Sequence, residues 1–186
     1  MTDGLERVLA GAGVAFAAVL ALAAVLGDRD IDAYLLGLAA FFLVAFLGAL
    51  RAELRTIEGE TAPLSAVAVI GGSAAAALYA LLAVSYAGGG GSLEPLAFGA
   101  SFPQAALVGA ASTVMIRTGA VSRSLGLAGQ ALVPFQLGAP LVLLSSTSED
   151  FAVALALGPF CAWVLAASLL LLREPSDSRS SRPPAT

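Results

Sequence analysis

Long apolar runs alternate with short polar stretches along this chain. Six of the runs are close to the roughly 20 residues that a helix needs to cross about 30 Å of hydrocarbon, and none of them contains Asp, Glu, Lys, Arg or His. The pattern predicts helices over residues 8–26, 33–50, 64–87, 96–116, 125–144 and 151–172. We therefore predict an all-α, polytopic transmembrane bundle of six helices.

The amino-acid composition supports this prediction and separates a long apolar region from a short polar tail. Of the 186 residues, 59% are hydrophobic and only 12% are charged, which is too little polar surface for a soluble domain of this length. Residues 1–172 are expected to form one transmembrane domain. Residues 173–186 are rich in Ser and Pro and are expected to be a disordered cytoplasmic tail.

The arginines predict the orientation in the membrane. Six crossings place eight of the nine basic residues on the side of both termini, and only Arg29 on the other side. The positive-inside rule then puts both termini in the cytoplasm, as in a multi-pass protein of the bacterial cytoplasmic membrane. The first run is expected to be a retained helix, because Asp3 and Glu6 offset Arg7 ahead of it and signal peptides begin with a positive segment.

Several classes of function lack the residues they need. The chain has no histidine, and Cys161 is its single cysteine. The predicted spans therefore offer serine and threonine hydroxyls with no base to activate them. No basic block suits nucleic acid. We expect a non-enzymatic protein without a cofactor or metal, whose main partner is the lipid bilayer.

The outer loops collect acidic residues. Asp28, Asp30 and Asp32 alternate in "DRDID" and could supply oxygen ligands to a cation. The favoured interpretation is helix capping, with Asp32 at the start of the second helix and Ser148 ahead of the sixth.

Two predicted helices carry faces of small side chains, which allow close helix packing in lipid. The third helix has such residues at four-residue spacing, and the first repeats the pattern: Ala68, Gly72, Ala76 and Ala80, and Gly13, Ala17 and Ala21. Packing inside the bundle is the favoured use. A homo-oligomer formed through these faces is the alternative.

The stretch "GQALVPFQLGAP" places amides beside prolines within the fifth predicted helix. A proline removes the helical bond to the carbonyl four residues earlier. Pro134 is thus expected to free the carbonyl of Gln130, and Pro140 that of Gln136. Each glutamine would then share its position with a free carbonyl. The two positions would lie about 9 Å apart along the helix and some 120° apart around it.

Gln104 in the fourth helix matches Gln136 in depth. Each lies eight residues, or about 12 Å, from the predicted outer end of its helix, which predicts a Gln104–Gln136 hydrogen bond between helices. We interpret Gln104, Gln130, Gln136, Pro134 and Pro140 as a polar seam that packs helices, in a structural or accessory protein. The alternative is a small-solute transporter or channel with a polar cavity between helices four and five.

The segments "IRTGAVSRSLGLAG" and "CAWVLAASLLLLR" resemble a group of small polytopic membrane proteins of high-GC actinobacteria. In that group the turn reads like Arg-Thr-Gly-Ala-Leu-Pro-Arg-Trp-Leu-Gly, but Ser122 and Ser124 stand here in place of proline and tryptophan. The resemblance covers the C-terminal third, implies a multi-helix inner-membrane protein and carries no established activity. Arg117 and Arg123 flank the turn and are expected to anchor it to anionic headgroups, with partner docking as the weaker alternative.

Overall fold

The protein is all-helical in the part of the chain that the computed structural model describes, residues 3–26, 29–58, 62–88, 94–119, 121–145 and 149–173. No strand occurs in these ranges. The six helices are α1 (Asp3–Leu26), α2 (Arg29–Glu58), α3 (Pro63–Ala87), α4 (Glu94–Thr118), α5 (Arg123–Ser145) and α6 (Glu149–Arg173). The prediction of six helices is confirmed, whereas the tail predicted after Arg173 lies outside the described residues.

Four helices contain segments that are long and apolar enough to cross a membrane. They are Arg7–Leu26, Ile31–Glu58, Pro63–Ala87 and Phe98–Thr118, and α6 adds a shorter apolar segment, Leu157–Arg173. Large apolar side chains on these helices point outward, among them Val25, Phe41, Ile70 and Val84. Exposed apolar side chains on long helices suit a lipid environment, so this is a membrane protein.

The second helix is longer than its apolar run. It was predicted to end at residue 50 but continues to Glu58. The last apolar residue indicates where the hydrocarbon ends. The helix can continue past that point, because its backbone hydrogen bonds also form outside the hydrocarbon. In the extension Arg51 and Arg55 are exposed, while Leu54 and the carboxyl-bearing Glu53 are buried. A carboxylate that the pattern placed in a loop therefore lies in a packed helix end.

The helices form a closed ring. Each one packs against its neighbours in the sequence, and α6 also packs against α1. The fourth helix additionally contacts α2 and α6. Its buried residues, including Leu107, Val108, Ala111 and Met115, therefore lie on much of its circumference. Because α4 is central, it carries Gln104 of the seam and contacts the helix that carries the other seam residues.

Small residues bring the helices close together inside the ring. A Cβ on Gly13 would lie 2.7 Å from Phe46 Cδ2 of α2 and 2.9 Å from Ser168 of α6, and a Cβ on Gly72 would overlap Leu47 of α2. The buried residues of the predicted small faces, Gly13, Ala68, Gly72 and Ala76, confirm internal packing. Ala21 and Ala80 are exposed, so those faces turn outward toward their C-terminal ends. A homo-oligomer stays a prediction.

The connection between α2 and α3 is fixed by a carboxylate. Glu58, the last residue of α2, accepts hydrogen bonds from the backbone N–H groups of Leu64 and Ser65, each at 2.8 Å. These groups lie in the first turn of α3, where backbone donors have no partner within the helix. The cap comes from six and seven residues away, which a search for local capping motifs does not detect.

Candidate functional site

The seam is built on two helices that run antiparallel with a fixed register. A Cβ on Gly126 of α5 would lie 3.0 Å from Met115 Cβ of α4, and a Cβ on Gly109 of α4 would lie 3.3 Å from Val133 Cγ2 of α5. Each step along α5 toward its C-terminus is therefore matched by a step along α4 toward its N-terminus.

This register brings two glutamines to one level. Gln136 lies three residues after Val133 on α5. Because Val133 contacts Gly109, Gln136 lies opposite the residue three positions before Gly109 on α4, residue 106. Counting from Gly126 places it opposite residue 105. Gln136 therefore lies within about two residues, or roughly 3 Å, of the level of Gln104. Both side chains are buried, with 1% and 0% of their surface exposed.

Gln104 forms its hydrogen bond with α3 instead of α5. Its Nε2 donates to the Tyr79 hydroxyl at 2.6 Å. Helical side chains point back toward the N-terminus of their own helix, which lets the long Tyr79 side chain reach along α3 to Gln104. The Tyr79 ring meets Phe16 of α1 edge-on at 5.9 Å, and Phe16 meets Phe160 of α6 at 5.8 Å. The predicted Gln104–Gln136 hydrogen bond is wrong, because Oε1 of Gln104 and both amide atoms of Gln136 have no hydrogen-bond partner among the described residues.

Gln136 has no hydrogen-bond partner for either amide atom among the described residues. Two side chains of α4 near the same level share this state, at Oε1 of Gln104 and Oγ of Ser101. A buried polar group without a partner costs about 1–3 kcal/mol. Four unpaired atoms within about a turn of one level are therefore an unusual feature of the bundle.

The amide nitrogen of Gln130 is used in packing. Its Nε2 donates to the carbonyl of Gly109 at 2.8 Å and lies 2.7 Å from the Thr113 hydroxyl oxygen. The hydroxyl of Thr113 in turn donates to the carbonyl of Gly109 at 2.7 Å. These bonds link α5 to α4, which is the packing role that was predicted for the seam.

The prolines of the seam lie on different sides of α5. Pro140 is buried, but Pro134 is exposed, so Pro134 does not line the interior as a seam residue should. Both lie inside α5, which continues without interruption from Arg123 to Ser145. The freeing of the Gln130 and Gln136 carbonyls stays a prediction.

A second buried polar pair lies where α4, α5 and α6 meet. A Cβ on Gly129 would overlap Ser112 Oγ and would lie 2.6 Å from Trp163 Nε1. Neither the hydroxyl nor the indole N–H has a hydrogen-bond partner among the described residues. Both groups lie against Gly129, so the absence of a side chain there brings α5 close to α4 and α6.

The turn between α4 and α5 has the conformation expected for a helix end. Gly119 has φ 69°, and its N–H donates to the carbonyl of Met115 at 3.0 Å. Only glycine adopts such a φ at little cost. The tight turn predicted at Gly119 is confirmed, and Arg117 and Arg123 are exposed on either side of it. The Ser122 hydroxyl accepts from the N–H of Leu125 at 3.3 Å, as a cap of α5.

The acidic residues of the outer loops are described only in part. Asp28 and Ser148 lie outside the described residues. The second helix begins at Arg29 and not at Asp32, so Asp32 belongs to its first turn, where a carboxylate still interacts favourably with the helix dipole. No group of three acidic or cysteine side chains comes together among the residues whose positions the structure gives.

Comparisons with protein-family models, with curated proteins and with solved structures find no match to this chain.

Proposed function

We propose that this is a non-enzymatic multi-pass protein of the bacterial cytoplasmic membrane, in which all six helices cross and both termini are cytoplasmic. The α4–α5 register supports the fifth crossing, because α5 follows α4 from Gly126 to Gln136 at matching depth. The sixth is supported by the packing of α6 against α1 and α5. The exposed Arg117 and Arg123 suit a cytoplasmic interface with anionic lipid.

The topology has a direct test. An alkaline phosphatase or green fluorescent protein reporter is fused after Thr186, and a second one replaces the turn at Gly119. Fluorescence at both positions without phosphatase activity is expected, because even-numbered connections return to the cytoplasm. Phosphatase activity at either position would contradict six crossings with both termini inside.

The role proposed for the bundle is structural or accessory. The observation that supports it is the α4–α5 link, in which Gln130 is bonded to Gly109 and Thr113. Such bonds hold membrane helices in one arrangement and contribute about 0.6–2 kcal/mol each. The resemblance of the Arg117–Arg123 turn to small actinobacterial membrane proteins is compatible with this role and remains part of the proposal.

A small-solute transporter or channel is the second candidate, and one observation favours it. Gln136 is buried in the bundle with both amide atoms unpaired among the described residues, whereas a packing residue would be expected to resemble Gln130. Stopped-flow light scattering of proteoliposomes is expected to show faster glycerol or urea entry than in protein-free vesicles. Gln136→Leu should slow entry, and Gln130→Leu is the matched control. Equal rates in all vesicles would reject transport of these solutes.

A further inference from the structure

We propose that an amide layer, defined as Tyr79, Ser101, Gln104 and Gln136, is a binding site for one small uncharged molecule that both donates and accepts hydrogen bonds. This inference rests on the second candidate function and names the class of its solute. The hydrogen bond between Gln104 and Tyr79 joins α4 to α3 in this layer, and the α4–α5 register places Gln136 of α5 at the same level.

The layer lies well inside the helices that carry it. Gln104 is ten residues from the first residue of α4, Glu94, and Gln136 is nine from the last residue of α5, Ser145. At 1.5 Å per residue they lie about 15 and 14 Å from these helix ends. Phe16, packed edge-on against Tyr79, is also ten residues from the end of α1 at Leu26. A third helix therefore gives the same distance from its end.

The unpaired atoms define what the molecule must offer. The Oε1 atoms of Gln104 and Gln136 are two acceptors, and Nε2 of Gln136 supplies donors. The Ser101 hydroxyl can act in either way. A complementary molecule needs at least two N–H or O–H donors and one acceptor. Urea, a primary amide or a small polyol meets this requirement.

The surroundings select against charge. Residues 8–26, 64–87, 96–116 and 125–144 contain no Asp, Glu, Lys, Arg or His. A buried ion without a partner of opposite charge would bear a large desolvation cost. The edge-on rings of Phe16, Tyr79 and Phe160 add an apolar wall. An uncharged solute is therefore the fitting class.

Gln130 provides an internal comparison. It lies on the same helix as Gln136, and its amide donates to a carbonyl and a hydroxyl of α4. The α4–α5 interface can therefore satisfy a glutamine by packing alone. Gln136 lies six residues further along, is more deeply buried, and finds no such partner among the described residues. The difference between the two glutamines points to a ligand at the second position.

The composition of the chain makes the test specific. It contains three glutamines, at 104, 130 and 136, and no asparagine. Full-length protein labelled with ¹⁵N at the glutamine side chain therefore gives three NH₂ signal pairs. The single variants Q104L, Q130L and Q136L assign them, because each removes one pair. Urea and glycerol are titrated as probes, with acetone as a control that has the shape of urea and no N–H donors.

Saturable shifts of the Gln104 and Gln136 signals with urea or glycerol, and not with acetone, are expected, with the Gln130 signal unmoved. No shift with either probe, equal shifts at all three glutamines, or an equal response to acetone would overturn the proposal. Shifts without solute flux in the proteoliposome assay would keep the site and reject transport. Flux without shifts would reject this site and leave transport standing.

Discussion

Nε2 of Gln104 donates a 2.6 Å hydrogen bond to the hydroxyl of Tyr79, and this bond joins α4 to α3 in the centre of the bundle. The Tyr79 ring continues the contact to Phe16 of α1, which packs in turn against Phe160 of α6. Four helices thus meet through one amide and three rings. The site in the seam depends on this arrangement, because it fixes which Gln104 atom is paired and which is not.

Removing the Tyr79 hydroxyl should destabilise the bundle without disturbing its ring packing. Tyr79→Phe leaves the Gln104 amide with no partner, and we expect a loss of about 1 kcal/mol, within the range for interhelical bonds in membranes. Thermal unfolding in detergent should show a fall in Tm of roughly 2–4 °C. Tyr34→Phe, at a position that is 67% exposed, is the control and should leave Tm unchanged. Equal effects of the two substitutions would contradict the role of the hydroxyl.

Close contact between α3 and α4 makes Gly71 intolerant of a side chain. A Cβ there would lie 2.8 Å from both the backbone nitrogen of Leu107 and the carbonyl oxygen of Pro103. Because backbone atoms cannot move aside, Gly71→Ala should cost about 1–3 kcal/mol. Gly37→Ala has no neighbour within 4 Å and should be neutral or stabilising by up to about 1 kcal/mol. Unfolding of both variants in detergent measures the difference, and a Gly71→Ala protein as stable as Gly37→Ala would refute the close contact.

The carboxylate cap of α3 should be visible in hydrogen exchange. Glu58→Ala removes the acceptor of the Leu64 and Ser65 N–H groups, so these two amides should exchange faster and stability should fall by about 1 kcal/mol. Glu58→Gln keeps one oxygen acceptor and should be intermediate. Exchange of Leu64 and Ser65 at the wild-type rate in Glu58→Ala would show that the cap is not formed.

The pattern of apolar runs predicts the helices well because each run must be long enough to cross the hydrocarbon. The end of α2 could not be predicted in this way, since residues 51–58 continue the helix beyond the last apolar residue. Helix counting correctly places Gln104 and Gln136 at one level. It does not predict the partner, because the hydrogen bond depends on Tyr79, whose Cα lies further along a third helix.

The two glutamines of α5 show how far a sequence motif can determine function. "GQALVPFQLGAP" gives Gln130 and Gln136 the same proline four residues later, and nothing in the spacing separates their roles. The structure distinguishes them, since Gln130 is hydrogen-bonded to Gly109 and Thr113, and Gln136 forms no hydrogen bond among the described residues. Which neighbouring side chains each glutamine faces depends on how α5 is rotated in the assembled bundle, and the motif does not determine that rotation.

A paired unfolding measurement tests this difference most directly. Gln130→Leu and Gln136→Leu are the same substitution at two positions of one helix, measured by thermal unfolding in the same detergent. We predict that Gln130→Leu lowers stability by about 1 kcal/mol, because it breaks bonds to α4. Gln136→Leu should leave stability unchanged or raise it by up to about 1–3 kcal/mol, because it removes unpaired buried atoms. Loss of stability in Gln136→Leu equal to that in Gln130→Leu would show that both glutamines pack helices and would contradict the account.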